Sequence, residues 1–209
     1  ELLKHICVEL DMECEIEFLP WDEGYEEVLS NDNGVLFSTV LTSIRKDKFK
    51  WAGPYASLDW NFYSTPQSQI EINSLEDAKK VGKIGVIAEY AIEQFLVGEG
   101  FNNLVYCDDL DQCIDKLLNG EIDLVPSDKF TTESALKAIG KTIYSVKSVY
   151  TLKTELIYFA FNKNVPDDVV ADFQEIIDLA KKYGKLKELS EQYLQTSDYP
   201  DIMQIYTEP

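Results

Sequence analysis

The sequence predicts an α/β protein, on three observations. Helical and extended patterns alternate along the 209 residues, the apolar content of 45% is that of a folded chain, and no Gly/Ser-rich linker interrupts the series. Alternation of helix with strand makes parallel strands the expectation. A chain of this length forms either one large domain or two small lobes, and the α/β series occurs twice without a flexible connection. Two lobes joined by ordered strands fit that pattern better than beads on a string.

In the first series "ELLKHICVEL" is helical, "CEIEFL" (residues 14–19) alternates as a strand, "WDEGYEEVLS" is helical and "GVLFSTV" is a strand. That strand ends near Leu41, and Thr42 then has the character of a helix N-cap. Beyond a turn from Trp51 to Tyr55, "LDWNFYS" reads as a strand, and Ser74-Leu-Glu-Asp77 starts a short helix with a capping-box pattern.

The second series runs through strand "KIGVIA" (83–88), a helix from about Ala91 to Val97, and strand "NLVYC" (103–107). Helix "DLDQCIDKLLN", closed by Gly120, leads to strand "EIDLVP" and a helix from Asp128 to Ile139. From Thr154, "ELIYFAFNK" is strand-like. Pro166 then opens a helix with acids in its first turn and lysines in its last, which suits the helix dipole. "KLKELSEQYL" is a final amphipathic helix, and the tail to Pro209 has no assignable pattern.

The formal charge of -19, from 38 acids against 19 bases, repels nucleic acid and anionic membrane surfaces, so neither is an expected partner. No apolar run approaches the ~20 residues that cross a bilayer, and no charged-then-apolar leader precedes Glu1, so an export signal is either removed or was never there. Cys7, Cys14, Cys107 and Cys113 are too few for a disulfide scaffold and lack Cys-x-x-Cys spacing; they are either buried thiols or form one or two bridges. His5 is the single histidine, and nothing completes a four-ligand zinc site around it.

Two stretches carry chemistry. In "LTSIRKDKFKWAGPY" (41–55), Thr42 at a helix start leaves free backbone N–H groups at the C-terminal edge of a strand, where open α/β sheets bind ligands. Arg45 falls in the first turn, which disfavours a cation unless it has an anion to hold. Hydroxyl, amides and a planar fork make a carboxylate receptor; the plainer alternative pairs Arg45 with a surface acid. In "LLNGEIDLVPSD" (117–128), Asp128 arrives at a strand's C-terminal edge in the other half of the chain, either to receive an ammonium group or to cap the next helix.

The succession of "VLFSTVLTSIRKDKFKWAGPY", "SLEDAKKVGKIGVIAEYAIEQFL" and "LLNGEIDLVPSD", followed by "LIYFAFNK" and two closing helices, resembles the family 3 bacterial extracellular solute-binding proteins over nearly the whole chain. The resemblance implies a type II periplasmic-binding-protein-like fold. Its lobes are residues 1–58 with 152–209 and residues 59–151, each a mostly parallel sheet flanked by helices. Two crossing hinge strands join them, through about Ala56–Phe62 and Tyr150–Glu155, and the lobes close around a small solute. It implies that Arg45 holds a ligand carboxylate, assisted by Thr42 and the backbone near Ser38 and Val40, and that Asp128 takes the amine. Trp21 is the candidate aromatic against the solute, with a core role as the alternative.

The sequence departs from the family pattern at two places. Where the family has Gly followed by Ser or Thr at the second lobe's binding helix, this chain has Glu89, Tyr90 and Ala91. The tyrosine narrows a pocket there, while Glu89 either adds an acid suited to a cationic or unusual solute or points to solvent. The chain also begins at the family's first helix, so the opening strand with its ligand-facing aromatic is not in the sequence.

The function implied is an extracytoplasmic, periplasmic solute-binding protein, monomeric and without cofactor or metal. It would capture an amino-acid-like ligand for the membrane permease of an ABC transporter. The alternatives are a ligand-sensing domain of a membrane signalling receptor and a dehydratase-like enzyme. The enzyme reading has Glu89 as its one attractive acid or base, with no Gly-rich phosphate loop, nucleophile elbow or metal cluster beside it.

Overall fold

In the computed structural model the described residues are 1–194. In chain order they form α1 (Leu2–Glu9), α2 (Trp21–Ser30), β1 (Val35–Val40), β2 (Lys50–Ser64), α3 (Leu75–Ala78), β3 (Ile84–Ile87) and α4 (Ala91–Gly98). There follow β4 (Leu104–Cys107), α5 (Leu110–Leu118), β5 (Val125–Ser127), α6 (Lys129–Ala138), β6 (Lys147–Phe161), α7 (Asp167–Lys182) and α8 (Lys185–Leu194). The tail beyond residue 194 lies outside the described residues.

The chain divides into two compact units, one of Glu1–Ser57 with the described residues from Leu156, the other of Leu58–Glu155. β2 and β6 are neighbours in a sheet of order β1-β6-β2-β5, and each strand runs from one unit into the other.

In the first unit β1 pairs antiparallel with the end of β6, Val35 opposite Phe161 and Val40 opposite Ile157. α7 lays Phe173, Ile177 and Ala180 on the core at helical spacing, its first turn carrying Asp167 and Asp168 and its last Lys181 and Lys182. Phe173 meets Phe159 and Phe161 edge-on, and Ile6 of α1 joins the same cluster. Asn162 donates to the carbonyls of Val28 (2.8 Å) and Leu29 (3.1 Å), tying the last turn of α2 to the chain just past β6.

In the second unit β3 and β4 are parallel, Ile84 opposite Leu104 and Ile87 opposite Cys107. Leu124, just before β5, bridges to Ile84 in the same sense. The end of β2 pairs antiparallel with β5, Asn61 opposite Ser127. One apolar cluster gathers Phe62, Ile84, Val86, Leu96 and Leu124, and another gathers Tyr63, Ile114, Leu117, Val125 and Leu136. α5 starts on an Asp109 cap that accepts from the Gln112 amide, and ends where Gly120 turns with φ +74°. α3 has its expected box: Ser74 accepts from the Asp77 amide, and the Asp77 carboxylate accepts from the Asn73 amide and the Ser74 hydroxyl.

Three local readings are corrected. Residues 14–19 are not a strand: the segment is irregular and mostly exposed, and its alternation finds no ladder partner among the described residues. No helix follows Thr42. Its carbonyl accepts from the Arg45 and Lys46 amides, a single turn's worth, and after further turns the chain enters β2 at Lys50. Residues 51–55 are not a turn, because β2 runs straight through the cis Gly53–Pro54 bond with β6 beside it. The cysteine alternatives resolve to two bridges, Cys7–Cys14 and Cys107–Cys113.

Candidate functional site

In the first unit the site is built on Arg45, the one arginine of the sequence. It is 3% exposed, its guanidinium carbon 4.4 Å from the centre of the Trp21 ring and 5.9 Å from that of Tyr25. Trp21 and Tyr25 stand four residues apart on α2, so one helix face presents both rings. Nη1 of Arg45 donates to the carbonyl of Val40, the last residue of β1, at 3.4 Å. The Arg45 amide donates to the Thr42 hydroxyl at 3.3 Å. Burial lowers the Arg45 pKa, while the neighbouring Tyr25 works to raise it. A guanidinium stacked on an indole keeps its N–H edge for in-plane acceptors, the geometry that takes a carboxylate bidentately.

Further aromatics continue behind the cation. Tyr25 meets Phe49 edge-on at 5.3 Å, Phe49 meets Trp51 at 5.8 Å, and Trp51 meets Tyr158 at 6.0 Å. Trp21 is thus packed with Arg45 and Tyr25 within its own unit, with part of its surface still exposed.

Ser38 and Val40 both have their backbone engaged inside the unit. The Ser38 amide donates to the Tyr55 hydroxyl at 2.7 Å, and the Val40 carbonyl accepts from Arg45. Ser38 has φ +56°, a left-handed conformation that costs a non-glycine residue about 1 to 2 kcal/mol. Burial pushes the Tyr55 phenol up to about 12, the hydrogen bonds with Ser38 opposing that shift.

In the second unit Asp128 caps α6. One carboxylate oxygen accepts from the amides of Phe130 (2.9 Å) and Thr131 (3.0 Å), the other from the Thr131 hydroxyl. The capping alternative therefore holds, and the half-buried carboxylate still has lone pairs to offer. The Tyr63 phenol is pushed up to about 12, chiefly by burial and then by the charges of Asp128 and Glu133. Glu89 and Tyr90 follow β3 at the start of α4. Both are exposed; Glu89 has φ +66°, and Tyr90 takes the N-cap position without a side-chain cap. Gln94 donates to the Glu89 carbonyl at 3.2 Å, and its own side-chain oxygen is buried without a partner.

Sequence reasoning missed Tyr25, Tyr55 and Gln94. Tyr25 was findable from its helical spacing to Trp21; nothing local in the sequence connects Tyr55 to Ser38. Among the described residues, no group of three or more His, Cys, Asp or Glu could hold a metal ion, and no helix is long and apolar enough to cross a membrane.

An α/β scaffold whose two units share two strands has the type II periplasmic-binding-protein-like fold. The chain belongs to the bacterial extracellular solute-binding proteins, family 3, whose family model matches residues 1–196. Among solved structures it is similar to a mutant of the arginine-binding protein ArgBP from T. maritima, with TM-score 0.78 and 20% identity over 93% of this chain and 83% of that one. It is also similar to a histidine kinase sensor domain with similarity to periplasmic binding proteins, with TM-score 0.81 and 16% identity over 92% and 83%. A third is a structure concerned with glutathione import via GshT and the cystine ABC importer TcyBC of Streptococcus mutans, with TM-score 0.77 and 20% identity over 96% and 86%. No curated protein matches the chain.

Proposed function

We propose that this protein captures a small carboxylate-bearing solute, an amino acid or a close relative, outside the cytoplasm and delivers it to an ABC-type permease. Arg45 takes the carboxylate, and Asp128 is the acceptor for an ammonium group. The carrying observation is Arg45 itself, the single arginine, buried on Trp21 at the end of β1. Family membership supports the solute-binding role, and ArgBP and the GshT and TcyBC structure point to amino-acid-like or peptide-like ligands. Both disulfides suit an oxidising compartment and support the extracytoplasmic location.

Thermal shift with each of the twenty free amino acids and with glutathione tests the reading, since a ligand at 100 times its Kd stabilises by about 2.7 kcal/mol. At least one of these solutes should raise the melting temperature, and Arg45→Gln should abolish the rise. No shift with any of them, or a shift that survives Arg45→Gln, overturns the assignment. Turnover of the bound solute would replace binding with catalysis. A sensor would use the same binding step, and uptake into vesicles carrying the permease separates the two readings.

A further inference from the structure

We propose that Tyr55 is a positioning residue for the Arg45 site: its hydroxyl locks an irregularity in β1 and thereby sets the Val40 carbonyl against which the guanidinium is held. The inference rests on the reading of Arg45 as the carboxylate receptor.

The pairing of β1 with β6 shifts by one residue along the strand. Leu36 stands opposite Ala160 but Thr39 opposite Tyr158, so Phe37 and Ser38 together face the single Phe159. Such a bulge leaves one backbone N–H outside the ladder and re-aims everything beyond it. Ser38, one of the two bulged residues, takes the left-handed conformation, φ +56°. Beyond the bulge, Thr39 and Val40 face the opposite way from where unbroken alternation would place them, and both are buried. Val40 is then the residue whose carbonyl receives Arg45 Nη1.

Tyr55 supports the bulge from two directions. Its ring lies on Phe159, the residue opposite the bulge, with centroids 4.4 Å apart and planes 31° apart. Its hydroxyl oxygen receives the Ser38 amide at 2.7 Å, and the Ser38 side chain also hydrogen-bonds it. A backbone N–H left without such an acceptor would favour closing the bulge and restoring the regular register. That change would carry the Val40 carbonyl away from the Arg45 guanidinium, which also packs on Trp21 and Tyr25 of α2. Ring and hydroxyl are separable, so Tyr55→Phe removes the lock and keeps the stacking.

Because Arg45 is the only arginine, nitrogen-15 labelling of arginine gives one side-chain signal set, read by NMR on the solute-free protein. In Tyr55→Phe, solvent exchange of the Arg45 Nη hydrogens should speed up about tenfold, the scale of one lost hydrogen bond, with the melting temperature shifted by only a few degrees. Unchanged exchange in a folded Tyr55→Phe overturns the proposal. Should that variant not fold, the wild-type protein decides: under rising denaturant the Ser38 amide and the Arg45 Nη hydrogens should lose protection together. Opening of Ser38 while Arg45 stays protected overturns it. For any free amino acid that binds, Tyr55→Phe should weaken the acid about tenfold and leave its carboxamide unchanged, whereas a general loss of structure weakens both alike. An unchanged acid-to-amide ratio also overturns the proposal. Arg45→Gln run in parallel keeps the two ideas apart. Binding that survives it removes the carboxylate reading, whereas the exchange data judge Tyr55 on their own.

Discussion

The guanidinium carbon of Arg45 lies 4.4 Å from the centre of the Trp21 ring, with the cation 3% exposed. A desolvated cation on an indole gains about 2 kcal/mol, so Trp21→Ala should lower the urea midpoint by an amount equivalent to about 1 to 2 kcal/mol, and Trp21→Phe by less. Arg45→Lys should not restore carboxylate binding, because an ammonium offers neither the stacking plane nor the fork. An unchanged midpoint in Trp21→Ala would mean the stacking contributes nothing.

The cap that Asp128 makes on α6 is separable from its proposed role toward an ammonium group. Asparagine caps a helix about as well as aspartate, so Asp128→Asn should leave stability within about 0.5 kcal/mol while Asp128→Ala loses about 1 kcal/mol. Both should weaken an amine-bearing solute. Full affinity in Asp128→Asn would reduce the residue to a cap.

Glu89 is held at φ +66° without being glycine. Relief of that conformation, less the extra chain entropy of glycine, should make Glu89→Gly more stable by about 0.5 to 1 kcal/mol in thermal melts. A less stable variant would show that the glutamate side chain repays its backbone.

Tyr55 and Tyr63 both stand at about 12 in the folded protein, against about 10 for an unfolded tyrosine. The folded state therefore holds protons that the unfolded chain releases first. The stability these groups contribute is complete below about pH 10 and is lost as pH rises toward about 12. Tyrosinate absorbance should show a late fraction of the 12 tyrosines ionising only as the protein unfolds. Tyr63→Phe should flatten the decline of melting temperature above about pH 10, and an equally steep decline would contradict the assignment.

Cys107 and Cys113 are bridged inside the second unit's core, 6% and 1% exposed. Closing so short a loop contributes about 2 kcal/mol on the chain-entropy account, so the Cys107→Ser, Cys113→Ser double variant should unfold at correspondingly lower denaturant. Gly85 packs against the bridge, and a Cβ there would sit 3.0 Å from the Cys113 sulfur and collide with the end of Ile122. Gly85→Ala should therefore cost about 1 to 3 kcal/mol by overpacking, and a neutral result would show that Ile122 yields.

Most helices were legible because their signals are local. The caps of α3, α5 and α6, the glycine after α5, and the acids and lysines at the ends of α7 all lie within a turn of what they stabilise. Strand readings failed where the partner decides. Residues 14–19 alternate without a ladder to join, while β2 continues through Gly53–Pro54, a turn signal by itself, because β6 runs alongside. Arg45 and Asp128 were legible as polar side chains that follow strands, but the burial of Arg45, its seat on Trp21 and the bond from Ser38 to Tyr55 join residues far apart in the chain.

By itself the sequence determined the α/β class and the order of most helices. Each of these follows from patterns a few residues long. Only the tertiary structure decided which cysteines bond, where β1 slips its register, and that the lone arginine lies on a tryptophan. Those outcomes depend on distances between segments remote in sequence, which local propensity does not encode.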